Sequence, residues 1–265
     1  MHSRSARPWL LDEVTLADVR KHAYRVAVLP LGATEPHNHH LPYGTDSLEA
    51  FHLASACCEA AWKSGCRVIQ LPVIPYGTET NMQRFPLAMN VMPTTLLAIL
   101  RDLIDSLQQS GIDKLLIFNS HGGNELKPIL RELYGQTSVQ IFLCNWFQMI
   151  RDVAADVCQC PEDHAGEMET SMILSFRPDL VDRDSQGRLA ADAGQVRSFA
   201  FEALEKGWVG MTRPWHLLTT QSGSGDPHAA TADKGRQLTE AIVSRIAPFL
   251  TQLADAPMDD PFPFQ

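Results

Sequence analysis

The stretch that decides the fold reads Leu29-Pro30-Leu31-Gly32-Ala33-Thr34-Glu35-Pro36-His37-Asn38-His39-His40-Leu41-Pro42-Tyr43-Gly44-Thr45-Asp46. It begins at the end of Val26-Ala27-Val28-Leu29, an apolar run that predicts a buried β-strand. Two acids and three histidines lie between Glu35 and Asp46. Polar side chains of this chemistry directly after a buried strand predict a binding site at the end of that strand.

The side chains of this stretch favour metal binding. Imidazole nitrogens and carboxylate oxygens suit zinc, manganese or iron, and the lack of cysteine argues against a closed structural zinc site. In an extended segment Glu35 and His37 point the same way, about 7 Å apart. That spacing predicts one ligand for each of two ions about 3.5 to 4 Å apart, with a carboxylate bridging them. Asp46 is the candidate bridge.

Composition limits the function classes. The chain has 265 residues, 45% hydrophobic and 20% charged, which predicts one domain spanning residues 1–265. A formal net charge of −9 without a Lys/Arg run disfavours nucleic-acid binding. No apolar stretch approaches the roughly 20 residues that cross a bilayer, and Asp12 and Glu13 interrupt any N-terminal apolar signal region. We therefore expect a cytoplasmic protein with neither a membrane nor a nucleic-acid partner.

The six cysteines are expected to be mostly buried small hydrophobic residues in a reducing compartment. Cys158 and Cys160 are separated by one residue, whereas zinc sites prefer two to four. A metal or redox role for this pair is therefore the weaker interpretation.

Strand-like and helical patterns alternate along the chain. The predicted strands cover residues 26–31, 66–71, 114–118 and 139–143, and the main predicted helices cover 16–22, 47–64, 94–109, 124–134, 146–157, 166–176 and 231–254. Ser47, Thr94 and Asn124 are predicted N-caps. This alternation predicts an α/β fold with a mainly parallel sheet and helices on both faces.

Two further clusters are expected at the same edge of the sheet. Asn119-Ser120-His121-Gly122-Gly123-Asn124 follows a predicted strand, so His121 should lie at a carboxyl end, where such sheets bind ligands. The third cluster is Asp163-His164-Ala165-Gly166-Glu167-Met168-Glu169-Thr170-Ser171. If this cluster is helical, His164 and Glu167 share one face, and Glu169 points elsewhere.

These three clusters resemble, in order and spacing, the signature motifs of the creatininase (creatinine amidohydrolase) family. The resemblance implies a three-layer α/β/α sandwich, two divalent ions (zinc and/or manganese), hydrolysis of non-peptide or cyclic amide bonds, and a homo-oligomer, often a hexamer. It also implies that Glu35 and His121 ligate one ion, that His37 ligates the other and that Asp46 bridges both. His164 corresponds to the histidine that transfers protons.

The second motif departs from the creatinine-hydrolysing pattern. Those members have a tyrosine and a metal-binding glutamate where this chain has Gly122 and Gly123, and we expect Glu167 to replace the missing carboxylate. Cys160 stands where they have a substrate-lining tryptophan, whereas Trp146 matches a second active-site tryptophan. The Gly-Gly form resembles relatives acting on formamides or on a modified peptide rather than on creatinine.

The remaining roles follow from these assignments. Gly122, Gly123 and Trp146 are predicted to contact a small-molecule amide substrate, and His40 and Glu169 are candidates to support the ligands. A non-catalytic family member that uses metal for assembly or ligand binding is the alternative. A two-metal phosphoesterase is disfavoured because no arginine or lysine accompanies the motifs.

Overall fold

The computed structural model describes residues 6–259 and 261–264. Its strands are β1 (Val26–Leu31), β2 (Val68–Gln70), β3 (Lys114–Asn119) and β4 (Gln140–Asn145). All neighbouring pairs are parallel, in the order β2-β1-β3-β4. The predicted parallel α/β sheet is confirmed.

β1 is buried along its whole length because both faces of the sheet are covered. Val26 and Val28 pack into the core on one face, and Ala27 and Leu29 pack into the core on the other. This alternation follows from the period of two in a β-strand. A strand between two cores reads as an uninterrupted apolar run, which is why the sequence identified it.

Helices cover both faces of the sheet. They are α1 (Leu16–Lys21), α2 (Thr45–Lys63), α3 (Pro93–Gln109), α4 (Leu126–Leu133), α5 (Trp146–Met149), α6 (Arg151–Val157), α7 (Glu167–Phe176), α8 (Glu202–Glu205), α9 (Trp215–Leu218) and α10 (Ala232–Asp255). Side chains of α2, α7 and α10 form one core with the sheet, and those of α3 and α4 form the other. The result is the predicted three-layer α/β/α arrangement. No helix in the described ranges is both long and apolar enough to cross a bilayer.

The three predicted caps are wrong. α2 begins two residues before Ser47, whose hydroxyl donates instead to the carbonyl of Ala33 at 3.2 Å. α3 begins one residue before Thr94, because a proline occupies its first position, which suits that residue. The Asn124 amide donates to the carbonyl of Gly32 at 3.2 Å and so ties the segment after β3 to the segment after β1.

Candidate metal centre

The centre lies at the carboxyl ends of β1 and β3, which are neighbours in the sheet. The segment after β1 carries Glu35 and His37, the first turn of α2 carries Asp46, and the segment after β3 carries His121. Each of these four residues is less than 10% exposed. The fold thus brings the predicted acids and histidines to one edge, as the rule for parallel sheets anticipates.

Asp46 belongs to two groups of metal-compatible side chains. In the first group, Nδ1 of His121 lies 3.1 Å from Oε1 of Glu35 and 3.0 Å from Oδ2 of Asp46. In the second, Nε2 of His37 lies 3.1 Å from Oδ1 of Asp46 and 3.8 Å from Oε2 of Glu169. In both groups the candidate ligand atoms lie within 4.8 Å of one another.

His164 lies beside these groups. Its Nδ1 atom is 3.6 Å from Oε1 of Glu35, and the ring centroids of His164 and His37 are 4.1 Å apart. Its Nε2 atom lies 2.8 Å from the carbonyl oxygen of Pro36. The edge of the Trp215 ring packs against it at a centroid distance of 5.8 Å. The position of His164 is therefore fixed from several sides.

The donors of the centre fit divalent cations. Oδ2 of Asp46 is buried and has no hydrogen-bond partner among the described residues, although His121 is close. Burial lowers the pKa of His37, but the carboxylates of Asp46 and Glu169 outweigh it and raise that pKa to about 10. The acids therefore demand nearby positive charge, and metal ions bound by imidazole and carboxylate would supply it.

Backbone carbonyls determine which ring nitrogen of His37 and of His121 faces the cluster. Nδ1 of His37 donates to the carbonyl of Glu35 at 3.0 Å, which leaves Nε2 facing Asp46. Nε2 of His121 donates to the carbonyl of Thr78 at 3.2 Å, which leaves Nδ1 facing the acids. Both rings thus turn their second nitrogen to the centre of the cluster, and a bound cation would take the place of the proton on that nitrogen, as at metal-binding histidines.

A cavity of about 690 Å³ lies over the cluster. Its floor includes Glu35, Asp46, His121 and Glu169, and His164 forms part of its wall. A second cavity, of about 650 Å³, shares Ser120, Gly122, Asp163 and Glu169 with the first. Glu169 is therefore the cluster residue through which both cavities reach the centre.

Comparison with known proteins identifies the family. The family model described as creatininase, creatinine amidohydrolase, matches residues 12–250. This chain belongs to the creatininase family.

Relatives of this creatininase-family chain have different activities in their names. It is 29% identical to a mycofactocin precursor peptide peptidase from Mycobacterium ulcerans (strain Agy99), over 83% of this chain and 84% of that protein. It is also 29% identical to a creatinine amidohydrolase from Pseudomonas putida, over 60% of this chain and 67% of that protein. A candidate creatinine amidohydrolase from Bacteroides fragilis NCTC 9343 superposes with a TM-score of 0.87 at 34% identity, covering 95% and 98% of the two chains.

Glu169, rather than Glu167, lies in the cluster. The carboxylate of Glu167 pairs with Nζ of Lys234 and accepts hydrogen bonds from the backbone N–H groups of Gln159 and Cys160. The prediction for Glu167 assumed that His164 is already helical. α7 starts only at Glu167, and Ala165 has a φ of 55°, so the chain turns between His164 and the helix. The turn brings Glu169 next to His37 and removes Glu167 from the cluster.

His40 does not support the rings of His37 or His121. It is buried, and its Nε2 atom pairs with the hydroxyl of Thr170 in α7 at 2.8 Å. The rings of His37 and His121 instead donate to the backbone carbonyls of Glu35 and Thr78. Contacts of this kind cannot be predicted from a pattern of side chains.

Trp146 is a core residue in the structure and does not line either cavity. It is 1% exposed, and its Nε1 donates to the hydroxyl of Ser120 at 2.7 Å. Ser120 lines both cavities, so Trp146 acts on the site through this hydroxyl. The indole that lines the first cavity belongs to Trp215.

Gly122 and Gly123 both line the first cavity, and a side chain fits at only one of them. A Cβ atom on Gly123 would lie 2.3 Å from Nε2 of His121 and 2.5 Å from the carbonyl oxygen of Thr78. A Cβ atom on Gly122 would meet nothing within 4 Å. The position of the His121 ring therefore requires glycine at position 123.

Sequence reasoning missed Glu79. It is fully buried, and Oε1 lies 3.2 Å from Nε2 of His121. Burial, opposed by His121 and reinforced by Glu35, raises the pKa of Glu79 to about 10. Glu79 lies in a long segment without helix or strand periodicity, so only the folded structure reveals its position.

Proposed function

We propose that this chain is a two-metal hydrolase that cleaves C–N bonds of linear amides. The observation that carries the proposal is the position of Asp46, whose two carboxylate oxygens face different groups of candidate ligands, Oδ2 toward His121 and Oδ1 toward His37. Glu35, Asp46 and His121 would hold one ion, and His37, Asp46 and Glu169 the other. A solved manganese creatininase and a solved Zn-Zn form of a creatininase variant support these two metals.

When bound, two such ions supply Lewis acidity toward an amide carbonyl and make water a stronger acid. His164 would move the proton. Its Nε2–H donates to Pro36, so the neutral ring has an unprotonated Nδ1 that faces Glu35 and the cluster. Such a nitrogen can take a proton from water and pass it to the leaving amine. The carbonyl of Pro36 and the ring of Trp215 hold the imidazole in this orientation.

Linear amides are favoured over creatinine by the shape of the site. Neither Gly122 nor Gly123 projects a side chain over the cluster, and the two cavities, which share Ser120 and Glu169, have otherwise largely different linings. A relative matched over 84% of its length is a mycofactocin precursor peptide peptidase. Two cavities that meet at Glu169 support a substrate with groups on each side of the scissile bond, and a peptide is such a substrate.

The proposal is tested by metal analysis of protein purified without chelator, followed by assays on formamides, N-acyl amino acids, short peptides and creatinine. We expect two divalent ions per chain and hydrolysis of at least one linear amide. His164→Gln should keep both ions and lose at least about a hundredfold in rate, which is typical for a proton-transfer group. His39→Gln, at an exposed histidine of the same stretch, is the matched control. One ion or none per chain, or an inactive loaded protein, would contradict the proposal.

A further inference from the structure

Arg213 contributes a positively charged side chain to the lining of the first cavity. Among the described residues that line this cavity it is the only arginine or lysine, and several of the others are acids. Its side chain is 41% exposed, so the guanidinium is accessible from the cavity. A single cation at the edge of an otherwise acidic site indicates recognition of an anionic group on the ligand.

The guanidinium is held in place before any ligand binds. It lies over the ring of Trp215 at 4.6 Å, and the indole is itself fixed because Nε1 donates to the carbonyl of Ser222 at 2.6 Å. Nη1 of Arg213 donates to Oδ2 of Asp163 at 2.7 Å. This bond uses one of the five guanidinium N–H groups, and the others can form the paired hydrogen bonds that a carboxylate accepts.

Arg213 lies on the side of His164. Asp163, its partner, directly precedes His164, and Trp215, its platform, packs against the His164 ring. In the proposed function His164 gives its proton to the leaving nitrogen. The group that Arg213 binds should therefore belong to the amine half of the substrate rather than to the acyl half.

The surroundings define the two halves further. The wall of the first cavity near Arg213 includes Met211, and Met82, Met92 and Leu96 add apolar surface to the same cavity. An apolar side chain on the amine half would fit this wall. The second cavity begins at the shared Ser120 and Glu169 and offers room for the acyl half.

We infer that Arg213 binds the carboxylate of an amino acid that forms the leaving half of the substrate, so that the substrate is an N-acyl amino acid or the C-terminal end of a peptide. The inference rests on the proposed function. In the reaction, water adds its oxygen to the carbonyl carbon and the C–N bond breaks. The nitrogen takes the proton from His164, and a carboxylic acid and a free amino acid are released.

The test measures binding without turnover. N-methanesulfonyl-norleucine and N-methanesulfonyl-pentylamine differ only in the carboxylate, and neither is an amide that the protein could hydrolyse. Calorimetric titration of the zinc-loaded protein should give a Kd about tenfold lower for the acid, as expected for a charge-assisted pair. Arg213→Gln should reduce this preference to less than about twofold, and Arg213→Lys should keep part of it.

Two variants separate recognition from a structural role. Arg151 lines the second cavity, and Arg151→Gln should leave the preference for the acid intact. Asp163→Asn breaks the same ion pair as Arg213→Gln but keeps the guanidinium, so it too should retain the preference. Equal losses in the Asp163 and Arg213 variants would overturn the inference, as would a wild-type protein without a preference. Arg213-dependent binding together with a loaded protein that hydrolyses no amide would instead overturn only the proposed function.

Discussion

Oδ2 of Asp46 lies 3.0 Å from Nδ1 of His121, yet it has no hydrogen-bond partner among the described residues. Nε2 of His121 donates to the carbonyl of Thr78, so Nδ1 is the ring nitrogen that faces the acids. Burial lowers the pKa of His121, but the carboxylates of Glu35 and Glu79 outweigh it and hold that pKa well above its usual value, so a positive charge belongs between these groups, and a bound metal ion would supply it. The relationship therefore supports a metal ion between α2 and the segment that follows β3.

Glu169→Gln should reduce the metal content from two ions to one per chain, because its carboxylate faces His37 in the second ligand group. Glu167→Gln should retain two, because the Glu167 side chain is engaged by Lys234 and by backbone N–H groups. Metal analysis of both purified variants by mass spectrometry checks this pair. Two ions in the Glu169 variant would show that the ligand assignment is wrong.

Gly123→Ala should displace the ring of His121, because the added Cβ would overlap Nε2 at 2.3 Å and the Thr78 carbonyl at 2.5 Å. We expect loss of at least one ion and a lower melting temperature in the metal-loaded protein. Gly122→Ala adds the same atom where nothing lies within 4 Å and should keep both ions. Metal analysis and calorimetry compare the two, and equal metal content would refute the steric argument.

Lys234→Met should destabilise the protein by about 3 kcal/mol, because it leaves the carboxylate of Glu167 buried without its cation. Adding Glu167→Gln should restore part of the loss. Arg236→Gln removes an exposed pair with Asp233 in the same helix and should change stability by less than about 0.5 kcal/mol. Denaturant unfolding measures all three, and a small effect at Lys234 would contradict the prediction.

His40 should make the protein sensitive to mild acid. Burial, together with nearby histidines including His37 and His228, lowers its pKa to about 4. In the unfolded chain the pKa is about 6.5, so between these values the unfolded state binds a proton that the native state excludes. The free energy of unfolding should therefore fall as the pH is lowered from about 6.5 to 4, by up to about 3 kcal/mol.

His40→Gln should flatten this pH dependence, since glutamine does not titrate and can still donate to Thr170. Unfolding measured at several pH values in wild type and variant isolates the contribution of His40. Parallel curves would show that the imidazole also takes up its proton in the native state.

The sequence predicted the sheet because the strands lie between two cores. Val26–Leu31 is buried on both faces and reads as one apolar run, so β1 was predicted at its observed limits. The predicted helix starts were less accurate. Ser47 and Asn124 have the chemistry of caps, but their side chains satisfy backbone carbonyls of the segment after β1. Such long-range hydrogen bonds compete with local capping and leave no local pattern.

The sequence predicted the site residues that directly follow β-strands. It did not predict those whose position depends on an irregular turn of the backbone. Glu35 and His121 come shortly after β1 and β3, so their positions followed from topology. The position of Glu169 depends on the turn at Ala165. The positive φ of Ala165 cannot be inferred from helical periodicity in the sequence. Glu79 lies in a segment without helix or strand periodicity, so the sequence did not predict its contact with His121. Trp146 corresponds to an active-site tryptophan of the family. In this structure its ring packs in the core, and its Nε1 donates to the hydroxyl of Ser120.

The contact between Lys234 and Glu167 has a consequence for biosynthesis. Lys234 lies in α10, which follows all the candidate ligands in the sequence, and through Glu167 it fastens the segment that leads to His164. While the ribosome is still making α10, the acids and histidines already exist but this fastening does not. The nascent chain should therefore become competent to retain its ions only after α10 has been made, well after the last of the candidate ligands.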